Sequence, residues 1–126
     1  MTQEEKELLL KDLCARLPYG VICKDTNINV TGTLSQIGLH YDMCVLDKDN
    51  GDSESCYILN CKPYLIPMSS ITVEQEIEFI NTCTFLRGST FGWTDRTFDW
   101  LNKNHFDYRG LIPMGLAIDA TDKNIY

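Results

Sequence analysis

Apolar residues recur at three- and four-residue spacing at the start of the chain. Leu9, Leu10, Leu13, Cys14 and Leu17 share one face of a helical wheel, while Glu5, Asp12 and Arg16 gather elsewhere. Thr2 and Glu5 stand in capping-box spacing and Pro18 stops the run, so a helix is predicted from about Gln3 to Arg16. From Tyr19 the period shortens, and β-branched and aromatic residues come in short runs between turn signals. Strands are predicted at Tyr19 to Lys24, Asn29 to Ile37, Met43 to Asp47, Ser55 to Asn60 and Tyr64 to Ile66. Asn50-Gly51 between the third and fourth runs suits positive φ and predicts an antiparallel hairpin. Pro63 and Pro67 bracket the last run, which reads as the exit from the sheet, because proline cannot donate to a central ladder.

A helical period returns after Ser70. Thr72 and Gln75 repeat the capping-box spacing, and Val73, Ile77, Phe79, Ile80, Cys83 and Leu86 cover half the wheel, so this helix is expected to pack firmly on the sheet. Gly88 and Gly92 mark a loop, after which Thr94 or Asp95 can cap a third helix reaching about Asn104. On that helix Phe98, Leu101 and His105 share a face, while Trp100 points nearly opposite and needs a separate cover or an exposed role. Gly115 to Ile118 can form a short strand, and Thr121 to Tyr126 is expected to fray. The fold class is therefore α+β. It comprises an N-terminal helix, a small antiparallel meander or SH3-like or Sm-like barrel, two C-terminal helices and a short terminal strand. One domain over residues 1–126 is expected, with helix and barrel in 1–68 and a helical part in 69–126 packed on it.

With 126 residues, 44% of them hydrophobic, the chain can bury a sufficient core without disulfides. No run approaches the ~20 apolar residues of a membrane span, and the acidic start MTQEEKELLLKDL lacks the basic and apolar regions of a secretory signal. A cytoplasmic location and no membrane partner are expected. In that compartment Cys14, Cys23, Cys44, Cys56, Cys61 and Cys83 read as small buried hydrophobes. They form no CxxC pair, so neither a metal nor another cofactor is expected. A net charge of −7 with eleven dispersed basic residues argues against nucleic-acid binding and leaves a nucleic-acid-associated barrel or a DNA mimic as a lesser alternative.

Three blocks carry a resemblance: Leu8 to Val21 (LLLKDLCARLPYGV), Lys62 to Ser70 (KPYLIPMSS) and Asp99 to Ile112 (DWLNKNHFDYRGLI). They resemble a family of small proteins from gut anaerobic bacteria and their phages or prophages. The resemblance implies a mobile-element context and carries no activity, cofactor or catalytic residue. Ile66 stands where that pattern often has arginine, and Pro113 where it often has an acidic residue.

Six of the thirteen aromatic residues lie between Phe91 and Tyr108. Aromatic rings dominate both cores and interfaces, so Trp93, Trp100, Tyr108 and Arg109 are the candidate partner-binding residues of a non-catalytic interaction module. Its partner would be another protein or a second copy. The alternative is a small enzyme or ligand binder with a pocket around His105 and Asp107, in which a base and an acid would serve a distant thiol. No residue is singled out as catalytic, and no phosphate-cradling glycine motif is present.

Overall fold

In the computed structural model, which describes residues 1–38, 42–83 and 95–126, helix α1 spans Gln3–Arg16 as the spacing predicts. Its capping box is closed from both sides: the Glu5 N–H donates to Thr2 Oγ1 at 3.1 Å and the Thr2 N–H to Glu5 Oε1 at 3.4 Å. The buried face differs from the apolar wheel. Leu9 and Leu13 are buried as expected, but they share that face with Asp12 and Arg16, both fully buried, while Cys14 is exposed. The pair is tolerated because Arg16 Nε donates to Asp12 Oδ2 at 2.8 Å, so neither charge is buried alone.

Five strands follow: β1 (Ile22–Asp25), β2 (Val30–Gly38), β3 (Met43–Asp47), β4 (Ser53–Tyr57) and β5 (Cys61–Pro67). β1 to β4 form an antiparallel meander, and β1 also pairs with β5. The β3–β4 loop uses Gly51 at φ 88°, where its N–H donates to the Lys48 carbonyl, while Asn50 stays out of the left-handed region. β4 passes into β5 through a 3-10 turn at Ile58–Asn60.

Two short strands from the C-terminal part complete the sheet. β6 (Phe106–Asp107) and β7 (Ile118–Asp119) both pair parallel with β5, giving a seven-stranded sheet of order β4-β3-β2-β1-β5-β6 with β7 also on β5. The sheet is not closed. β5 is thus a central strand and not the exit that its prolines suggested. It accommodates them by changing partner along its length, pairing with β1 at Cys61 to Pro63, with β7 at Tyr64 and Leu65, and with β6 at Ile66 and Pro67. No long stretch of ladder needs the two missing N–H donors.

The sheet is strongly curled. Gly32 of β2 passes so close to β3 that an added Cβ would lie 2.6 Å from the Asp47 carbonyl oxygen. A register shift at Ser35 adds an unpaired residue, and such bulges increase twist. Inside the curl Leu34, Leu46, Ile58 and Leu65 pack with Leu9 and Leu13 of α1.

Helix α2 (Val73–Cys83) is capped as predicted, with the Gln75 N–H on Thr72 Oγ1 and the Thr72 N–H on Gln75 Oε1. Its packing is not as predicted. Phe79 turns toward helix α3 (Asp95–Lys103) and meets Trp100, while Val73, Ile77 and Ile80 are 73%, 55% and 48% exposed. The tail is anchored rather than frayed. The Tyr126 hydroxyl accepts from the Ile22 N–H at 2.8 Å and donates to the Tyr64 carbonyl at 2.9 Å, and its ring stacks on His105. No helix among the described residues is long and apolar enough to cross a membrane.

Candidate functional site

The aromatic segment builds a second core. Trp100 is 7% exposed, stacked on Phe106 with centroids 5.6 Å apart and tilted against Phe79 at 5.3 Å. Its Nε1 donates to Glu78 Oε1 at 2.9 Å, so the one polar atom of the indole is paired. An exposed, partner-seeking Trp100 is therefore overturned: the face opposite Leu101 is covered by α2 and by the strand that follows α3. Trp93 lies outside the described residues.

Of the candidate residues Tyr108 and Arg109 meet, while His105 and Asp107 have separate partners, and all four are engaged in structural contacts. Both Asp107 oxygens are engaged, accepting from the N–H groups of Leu111 and Ile112 at 2.8 and 2.9 Å. The carboxylate thus holds the turn after β6 and is not free to orient a base. Arg109 donates to Asp12 Oδ1 at 2.8 Å, and its guanidinium lies 4.6 Å from the Tyr108 ring centroid. Tyr108 donates its hydroxyl proton to Asn102 Oδ1 at 2.9 Å. Asp12 therefore bridges two arginines. Arg16 also donates to the Phe106 carbonyl at 2.6 Å, tying α1 to β6 across ninety residues of chain.

His105 follows α3 in the left-handed region, at φ 63°. Burial, with the Arg16 charge nearby, lowers its pKa to about 4, so the ring is neutral at physiological pH. Its Nδ1 is buried without a hydrogen-bond partner. One face is closed by Tyr126 at a centroid distance of 3.5 Å. Two surface depressions are formed by Ile22, Thr31, Gly32, Thr33, Asp49, Asn124 and Ile125, and by Thr2, Glu4, Glu5, Leu8 and Met114; neither contains His105.

A different group of chemically active residues is assembled by the sheet. Cys44 of β3 and Cys56 of β4 sit directly opposite one another, and Cys61 opens β5. Their three Sγ atoms all lie within 4.8 Å of each other, and all three residues are at most 1% exposed. Neighbouring strands are about 4.8 Å apart, so a flat sheet would hold β3 and β5 about 14 Å from one another. The curl and the short β4–β5 turn close that gap. Cys23 of β1 is buried in the same core but is not part of this close group. The Cys56 thiol donates to the Tyr57 carbonyl at 3.3 Å.

These thiols hold their protons firmly. For Cys44 a hydrogen bond from Cys56 acts downward, but the bond with Cys61 and burial outweigh it, and the pKa is pushed up to about 12. Cys56 is raised by its bond with Cys44 and by burial, and Cys61 by the Cys23 thiol and by burial. The Asp25 carboxylate, 4% exposed at the end of β1, adds a negative field that raises Cys44 and Cys56 further. Sequence spacing missed this cluster because its members are 5 to 17 residues apart and meet only through strand pairing.

Comparison with protein-family models, curated proteins and solved structures finds no match to this chain.

Proposed function

We propose that the protein is a non-catalytic interaction module whose docking surface is the outer face of α2. The observation that carries this reading is the reversal of that helix. Its most apolar stripe, Val73, Ile77 and Ile80 at i, i+4 and i+7, faces outward, while Phe79 and Glu78 face α3. A helix that follows only its own core does the opposite, and outward apolar stripes of this kind seat in grooves of a partner. Glu74 and Glu76 flank the stripe and are exposed. A second copy would set like charges against each other on a chain of net charge −7, so the partner that fits is another protein with an apolar groove and a Lys- or Arg-rich rim.

The scaffold supporting this surface reads as a half-open barrel of the SH3-like kind. That reading is supported by the order β4-β3-β2-β1-β5 and by the 3-10 turn that carries β4 into β5. A mobile-element accessory role rests on the resemblance of the three sequence blocks alone.

Light scattering of the full chain, followed by parallel capture from a host lysate with wild type and Ile77→Glu, tests the proposal. The expected result is a monomer that captures a basic-rimmed protein, with capture weakened by salt and lost in Ile77→Glu. A dimer dissolved by Ile77→Glu would assign the stripe to self-association. Capture indifferent to Ile77→Glu would remove α2 from consideration.

A further inference from the structure

We propose that Cys44, Cys56 and Cys61, with Cys23 in the same core, form a site for one thiophilic d10 metal ion, Zn2+ or Cu+. The three Sγ atoms lie within 4.8 Å of one another. Thiolates around zinc at ~2.3 Å stand ~3.8 Å apart in a tetrahedron, so side-chain adjustments of about 1 Å or less close the triad on an ion. Cys23, buried in the same core but outside the close group, must move nearer to supply a fourth sulfur for tetrahedral zinc; without it the triad matches the trigonal thiolate coordination of Cu+.

Cysteine as a small hydrophobe explains any one of these positions, but not the convergence of three from separate strands onto each other. Asp25 supplies the second argument. This nearly buried carboxylate stands opposite Cys61 in the β1–β5 register, where it attracts a cation, and it is itself held in place by the Asn27 and Ile28 N–H groups. Binding releases one proton from each ligating thiol, and each sulfur lone pair forms a metal–sulfur bond with no change in oxidation state. The cluster is enclosed, so the ion enters as the chain folds.

The test is to refold the reduced full chain from denaturant, without oxygen, with Co2+, Zn2+ or Cu+. The expected outcome is one ion per chain, a thiolate-to-cobalt charge-transfer band that Zn2+ abolishes, and unchanged behaviour in Cys14→Ser, whose thiol is exposed. Removing an outer-shell partner typically weakens a metal site about 10–100-fold, so Cys61→Ser and Cys44→Ala should weaken this one by at least about ten-fold. Cys44→Ala keeps the core apolar, and retained far-UV circular dichroism separates lost ligation from lost folding. Zn2+ and Co2+ binding that Cys23→Ser also weakens identifies the four-sulfur site, whereas stoichiometric Cu+ alone identifies the triad. Less than a tenth of an equivalent of any ion, binding indifferent to both substitutions, or a Cys44–Cys56 disulfide in protein purified without reductant overturns the proposal.

Discussion

Asp12 shows how much one side chain can organise. It is fully buried and accepts from Arg16 at one oxygen and Arg109 at the other, joining α1 to the chain beyond β6. Asp12→Ala strands the Arg16 charge in the interior, and a loss of about 3–5 kcal/mol in urea unfolding is expected. Arg109→Ala, at a partly exposed partner, should cost less. His105 gives a pH prediction. The unfolded ring takes up a proton near pH 6.5 and the folded ring only near 4, so the neutral imidazole's contribution is complete above 6.5 and is lost as pH falls toward 4. The loss is on the order of 2 kcal/mol once solvent screening of a partly buried ring is allowed for. His105→Asn keeps a residue that tolerates positive φ at the helix end and removes the titration. Its stability should therefore fall less steeply than wild type between pH 7 and 4, and parallel slopes would refute the assignment.

The contrast within α2 belongs to the element. Its capping box is local and was readable from Thr72 and Gln75, whereas the direction of its apolar stripe is set by what α3 offers. Phe79→Ala removes a ring packed on Trp100 and should cost about 2–3 kcal/mol. Ile77→Glu, on the outward face, should leave thermal stability within about 0.5 kcal/mol while abolishing partner capture. A comparable unfolding defect in both variants would mean the stripe is core. In β2, Gly32→Ala pushes a methyl group into the Asp47 carbonyl, and a loss of about 1–3 kcal/mol is expected from chemical denaturation. The same substitution at Gly38, whose nearest atom would be 3.6 Å away, should be milder.

Across the whole molecule, two cores share β5. One lies within the curled sheet under α1, and the other joins Trp100, Leu101 and Phe106 to Ile66 and Met68. Arg16 reaches from the first to the backbone of the second, and Tyr126 bridges β1 and β5. Cys23, Cys44, Cys56 and Cys61 sit inside the first core, so their reactivity reports on the whole fold. Iodoacetamide mass mapping on metal-free protein should find Cys14 alkylated early, and Cys23, Cys44, Cys56 and Cys61 only at the rate of global opening. Early labelling of Cys61 would show that the sheet opens locally.

The sequence by itself determined the local elements. Gln3 to Arg16, Met43 to Asp47 and the start of α2 follow from capping boxes, side-chain period and turn residues, all of which act within a few residues. Long-range partners were decided only in tertiary structure. Asp12 and Arg16 read as a solvent face until each was found buried against the other, and Pro63 and Pro67 read as an exit until β5 was seen to change partners. Trp100 found its cover in Phe79 and Phe106. The thiol cluster is the clearest case: spacing along the chain says nothing about sulfurs that meet because a sheet curls, since that distance is fixed by strand pairing and twist.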